Sequence, residues 1–119
     1  MTAGARADRV AEESREILAE EIPRLKDPRI GFVTVTHVEV TPDLRRATIY
    51  YTVYGPEKDQ RATRAGLESA RAHLRAILGQ QVRLKFTPEV AFEEDIGLDQ
   101  VQRVTELLKE IESPDRDER

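Results

Sequence analysis

The sequence predicts an α+β domain in which a three-stranded sheet carries helices on one face. Three observations predict it. Helical periodicity and strand alternation take turns along the 119 residues in the order α–β–β–α–β–α. Each helical segment has one apolar stripe and therefore needs one surface to cover. The second strand-like segment alternates strictly, so it too has a single apolar face. A sheet with helices on one side is the simplest arrangement that buries all of these.

Residues 6–25 read as the first helix, with Val10, Ile17, Leu18, Ile22 and Leu25 at helical spacing. Pro23 has no N–H for the preceding turn and is expected to end or kink the helix near Ile22. "KDPRIG" follows as a loop, with Pro28 biasing Asp27 toward extended geometry. "FVTVTHVEV" (32–40) is strand-like but changes phase. Val33 and Val35 share one face, Val38 and Val40 the other, and a bulge near Thr36–His37 would reconcile them. "TPDLRR" is a connection with Pro42 at a turn's second position. "ATIYYTVY" (47–54) then alternates cleanly, so the two strands are expected to form an antiparallel hairpin.

Residues 58–79 read as the next helix, with Gly79 as its stop. Leu67, Ala70, Leu74 and Ile77 form its inward stripe. Arg61, Arg64, Glu68, Arg71 and Arg75 form a second stripe roughly 120° away, expected to face out. A break within this helix is left open. Residues 82–92 alternate again: Val82, Leu84, Phe86, Val90 and Phe92 on one face, Arg83 and Lys85 on the other. Pro88 makes this strand an edge, or bulges it. Phe86 and Phe92 are expected in the core. Residues 98–112 read as a last helix with Val101, Val104, Leu108 and Ile111 in its stripe. Residues 1–112 are thus expected to form one domain, and "SPDRDER" (113–119) a disordered tail.

Composition excludes more than it selects. There is no cysteine, which excludes disulfides and argues against zinc or iron–sulfur centres. The first residues carry no apolar run, and no stretch approaches membrane-spanning length, so a cytoplasmic protein without membrane partners is expected. No catalytic constellation is visible: His37 and His73 sit in different elements, and Ser14, Ser69 and Ser113 lack an elbow-like context. No phosphate-cradling glycine loop occurs. Glu93, Glu94 and Asp95 would be the donors of a metal-dependent enzyme, but adjacent acids at a strand end ordinarily form a solvated face.

Charge is the informative feature. The net charge is -4, yet residues 60–88 hold six basic residues and one acid. Residues 89–119 hold four basic and eleven acidic residues. The Arg61, Arg64, Arg71 and Arg75 row lacks interleaved acids that would make intrahelical pairs, with only Glu68 interrupting it. Arg83 and Lys85 would extend it. Such a surface suits phosphate backbones, although a solvated helix face has the same periodicity. Aromatic interleaving is sparse, with Tyr50 and Tyr54 the one exception. His73 flanks the apolar stripe, as a boundary residue or an RNA contact.

Beyond these patterns, the chain resembles the ribosome-binding factor A family of bacterial small-subunit assembly factors. The likeness covers roughly residues 6–111 and rests on "RVAEESREILAEEI", "DPRIGFVTVTHVEVTPDLRRATIYY" and "LESARAHLRAILGQQVRLKFTPEVAFEED". It implies a type II KH-like domain of order α–β–β–α–kink–α–β. It also implies binding to the free small (30S) subunit and its 16S rRNA, late maturation with 5′-end processing of that RNA, a link to growth in the cold, and help from other assembly factors. No enzymatic activity and no cofactor are implied, and a monomer is expected. The family's Ala-x-Gly kink falls on Ala70, Arg71 and Ala72, where alanine replaces the glycine. Alanine is the better helix former by about 1 kcal/mol, so the break is expected to weaken or shift. The expected RNA-binding residues are therefore Arg61, Arg64, Ala70, Arg71, Ala72, His73, Arg75, Arg83 and Lys85. The rival reading is an acidic protein–protein adaptor that docks through its acidic C-terminal block or the exposed hairpin edge.

Overall fold

The computed structural model describes residues 3–95. The helix expected at 98–112 and the tail at 113–119 lie outside the described residues. Helix α1 spans Ala3–Glu21 and is followed by a 3-10 turn, Ile22–Arg24. Pro23 stands in the first turn of that 3-10 segment, so the α-helix stops where its missing N–H would first be needed. The buried residues of α1 are Ala7, Val10, Ala11, Ser14 and Leu18, a stripe with spacings of three and four.

Strands β1 (Phe32–Val40) and β2 (Arg46–Tyr54) pair antiparallel, as expected. The register slips between Val35 and His37 and leaves Thr36 as the bulged residue. That one residue returns Val38 to the face of Val35, and both are buried. The hairpin loop turns at Thr41–Leu44, where the Leu44 N–H donates to the Thr41 carbonyl (2.8 Å) with Pro42 at the second turn position. Leu44 takes φ 62°, which closes the loop. Along β2, Ala47, Ile49, Tyr51 and Val53 are all buried, as the alternation requires.

Helix α2 spans Glu57–Gln81 without interruption. It stays helical through Ala70–Arg71–Ala72, so the break allowed for there does not form. Alanine at positions 70 and 72 favours helix and gives the backbone no local reason to break there. Gly79 lies inside the helix rather than at its stop. Its missing side chain makes room for Thr87, whose Oγ1 would lie 2.6 Å from an added Cβ.

Strand β3 is Glu89–Glu94 only and pairs parallel to β2, giving the order β1-β2-β3. Residues 82–88 are not strand, which corrects the longer alternating strand. Pro88 cannot donate a ladder hydrogen bond, and pairing begins one residue after it. Phe86, expected in the core, is 62% exposed, while Phe92 does pack against the core.

Both helices cover the same sheet face: α1 packs on β1, and α2 on β2 and β3. Their buried side chains and those of the strands form one core cluster. The "DPRIG" loop is latched onto α2 at its tightest point. The buried Thr63 Oγ1 accepts the Gly31 N–H at 2.9 Å, and Arg29 Nη2 reaches Ser69 Oγ at 3.0 Å. Asp27 holds Arg29 in place through its N–H (2.9 Å) and guanidinium (3.0 and 2.7 Å). The Arg29 side chain, and then its backbone N–H, hold the Asp27 carboxyl below its ordinary range. An added Cβ on Gly66 would lie 2.5 Å from Ile30 Cγ1. Gly66→Val is therefore expected to cost about 2 kcal/mol through overpacking. Combining it with Ile30→Ala should cost less than the sum of the two single changes in urea unfolding.

Candidate nucleic-acid interface

Two basic surfaces must be separated. The first is the arginine row of α2, and every member has an acid beside it. Arg61 pairs with Glu57 at 3.4 Å and Arg71 with Glu68 at 3.5 Å, both within the helix. Arg64 pairs with Glu94 at 3.1 Å and Arg75 with Glu89 at 3.8 Å, so β3 supplies two acids to the row. The expectation that the row lacks intrahelical acid partners is thereby corrected for Arg61 and Arg71. The acids come from the turn before the row, from Glu68 within it, and from a strand brought alongside it by the parallel crossover. The Tyr51 hydroxyl, then Glu94, raise the Arg64 pKa. Burial, in turn, raises the Tyr51 pKa.

Arg71 and Arg75 also have structural tasks. Arg75 donates from Nε to the Pro88 carbonyl (2.9 Å) and from Nη2 to the Thr87 carbonyl (2.8 Å). Arg71 Nη1 reaches the Val90 carbonyl at 3.4 Å. These guanidiniums tie α2 to the segment that precedes and starts β3. Charge reversal of this pair would break that tie, so it cannot separate binding from folding. Ala70 is half-buried against the core, while Ala72 and His73 are exposed.

The second surface lies at the hairpin end of the molecule. Arg6 of α1, Arg45 of the hairpin loop and Lys85 of the 82–88 segment line one small cavity of about 180 Å³ with Asp43, Leu44 and Phe86. The exposed Phe86 ring has the Arg45 guanidinium carbon 5.9 Å and the Lys85 ammonium 5.6 Å from its centroid. Arg6, Arg83 and Lys85 make no side-chain ion pair among the described residues, Arg45 has the Asp43 carboxylate of its own loop nearby, and all four are exposed. Asp43 is the one acid in the cavity. Its carboxylate accepts the Thr41 hydroxyl at 2.7 Å and the Arg45 N–H at 3.1 Å, which together lower its pKa. It shapes the loop that presents Arg45.

Of the sequence-predicted site residues, Arg61, Arg64, Arg71 and Arg75 therefore stand together in a row with acids beside it. Arg83 and Lys85 do not extend that row on a strand face, because no strand forms there. Arg6, Arg45 and Phe86 were absent from the sequence-based site. The double cation of "DLRR" in a turn was the available signal for Arg45; nothing local pointed to Arg6. Glu93, Glu94 and Asp95 do not converge: Glu94 accepts from Arg64 and Asp95 from the Thr36 hydroxyl (2.7 Å). Among the described residues no helix is long and apolar enough to cross a membrane.

The topology and the cationic end define a KH-like domain with one surface suited to a polyanion. The ribosome-binding factor A family model matches residues 6–108. Ribosome-binding factor A of Geobacter sp. (strain M21) is 47% identical over 111 residues, 92% of this chain and 93% of that one. The crystal structure of the Thermus thermophilus factor superposes with a TM-score of 0.66 at 27% identity, covering 74% of this chain and 94% of that one. A homology model of the T. thermophilus factor, fitted into the cryo-EM map of a 30S complex, gives a TM-score of 0.60 at 29% identity, with 70% and 88% covered. This chain belongs to the ribosome-binding factor A family.

The double role of Arg75 gives a direct expectation. Arg75→Ala strands two carbonyls and should lower stability by about 1–2 kcal/mol in urea unfolding. Arg61→Ala, which loses only an exposed pair, should stay within about 0.5 kcal/mol of the parent.

Proposed function

We propose that this chain is an assembly factor of the small ribosomal subunit that binds the free 30S particle through 16S rRNA. On this reading it promotes late maturation, including 5′-end processing of that RNA. It works as a monomer in the cytoplasm, by binding rather than by catalysis, and needs no cofactor. Family membership supports the subunit as target, as does the fitted 30S complex of a relative 29% identical to it.

The observation that carries the RNA contact is the convergence of Arg6, Arg45 and Lys85 around exposed Phe86. Arg6 and Lys85 make no side-chain ion pair that a phosphate would have to displace, whereas Arg71 and Arg75 are also engaged by backbone carbonyls. Phe86 adds a ring face for an unpaired base. Arg83, an exposed cation two residues before Lys85, would join this contact. Arg61, Arg64 and His73 would add contacts from further along α2, and Arg71, Arg75 and the Ala70–Ala72 turn position the segment that bears Phe86. The acidic remainder disfavours bulk RNA and favours a shaped ribosomal site.

The test is co-sedimentation with free small subunits and with intact ribosomes at stepped salt. Arg45→Glu with Lys85→Glu should abolish binding to small subunits in a variant that melts like the parent. Single alanine changes at these positions should each lower the slope of log affinity against log salt by about 1. Salt-insensitive binding that survives the double reversal would favour the adaptor reading.

A further inference from the structure

Among the described residues the helices cover one face of the sheet and leave the other open, and that open face has its own chemistry. Phe32 and Tyr54 are register partners on adjacent strands and are 80% and 86% exposed. Next along the face come Thr34 and Thr52, then His37 and Tyr50, whose rings lie 5.8 Å apart at 31°. A groove of about 540 Å³ runs beside Phe32, Thr34, Thr52 and Tyr54. Exposed aromatic rings in one row are not accounted for by folding, since they bury nothing in this chain.

The charges around the row are of one sign. Glu39 is 64% exposed, with its oxygens 3.4 Å from the Tyr50 hydroxyl and 3.5 Å from His37 Nε2. Glu93 is exposed on β3 as the register partner of Tyr50. Burial, then Glu39, Glu93 and Asp95, push the Tyr50 pKa up, as expected beside grouped carboxylates. Apart from Arg46 at the far end of β2, no residue of the three strands is lysine or arginine. A phosphate backbone would be repelled here. A guanidinium would find aromatic faces to stack on and carboxylates to pair with.

We propose that this open face docks an extended, arginine-bearing polypeptide segment of a partner protein. The row from Tyr54 to Thr48 is about 20 Å long, the reach of six extended residues. Arginines at alternate positions of such a segment would all point at the sheet. Charge complementarity selects this occupant over RNA. It also disfavours this chain's own residues 96–119, which hold seven acids and four bases. The surface is separate from the Phe86 end, so protein and RNA could be held at once.

The test needs no ribosome and therefore stands apart from the RNA-binding proposal. The full-length, 15N-labelled chain is titrated with the peptide Arg-Gly-Arg-Gly-Arg-Gly-Arg. Amide shifts should concentrate at Thr34, His37, Tyr50, Thr52 and Tyr54. Phe32→Ser with Tyr54→Ser should weaken binding at least ten-fold, and so should Glu39→Gln with Glu93→Gln. The conservative pair Phe32→Tyr and Tyr54→Phe should retain it, which separates loss of rings from loss of fold. Shifts scattered over acidic positions of the helices, with all variants binding like the parent, would overturn the proposal. So would shifts of the same face by hexauridylate.

Discussion

The guanidinium of Arg75, held by the carbonyls of Thr87 and Pro88, is the contact on which the rest of the architecture turns. A parallel strand added after a helical crossover needs its starting point fixed, because the helix itself does not set the register. Arg75 fixes that point from within α2, and Arg71 repeats the contact at Val90. β3 can then pair from Glu89 onward, directly beyond Pro88. The same tie determines where the 82–88 segment runs. That segment carries Lys85 and Phe86 to the hairpin end, beside Arg45.

One consequence is a division of charge. The acids that β3 delivers to α2 stand beside the row that the sequence marks most strongly, while Arg6, Arg45 and Lys85 gather around Phe86. The open sheet face is left with carboxylates and aromatic rings. A protein of net charge -4 thereby still offers a polyanion a cationic end. The distribution matters more here than the total.

Much of the fold was legible because its rules are local. Pro23 stopped α1, the phase change of the valines located the bulge at Thr36, and the alternation of β2 fixed its buried face. What failed was long-range. Alternation over 82–88 looked like a strand, but pairing depends on a partner and on the N–H that Pro88 lacks. The arginine row looked unpaired because Glu94 is thirty residues from Arg64 along the chain and adjacent to it only in the folded state. Phe86 looked like core because an aromatic in an alternating run ordinarily is. The helix-favouring Ala70–Arg71–Ala72 run was legible, and α2 is uninterrupted through it.

The central claim is that ribosomal RNA meets the Phe86 end and not the open sheet face. The chain has no cysteine, so single cysteines can be placed without background. A hydroxyl-radical probe tethered at Phe86→Cys or at Thr34→Cys, on protein bound to small subunits, reads directly which surface lies against RNA. Strong strand scission of 16S rRNA from position 86 and little from position 34 is the expected result. Scission from position 34 with none from position 86 would contradict the account.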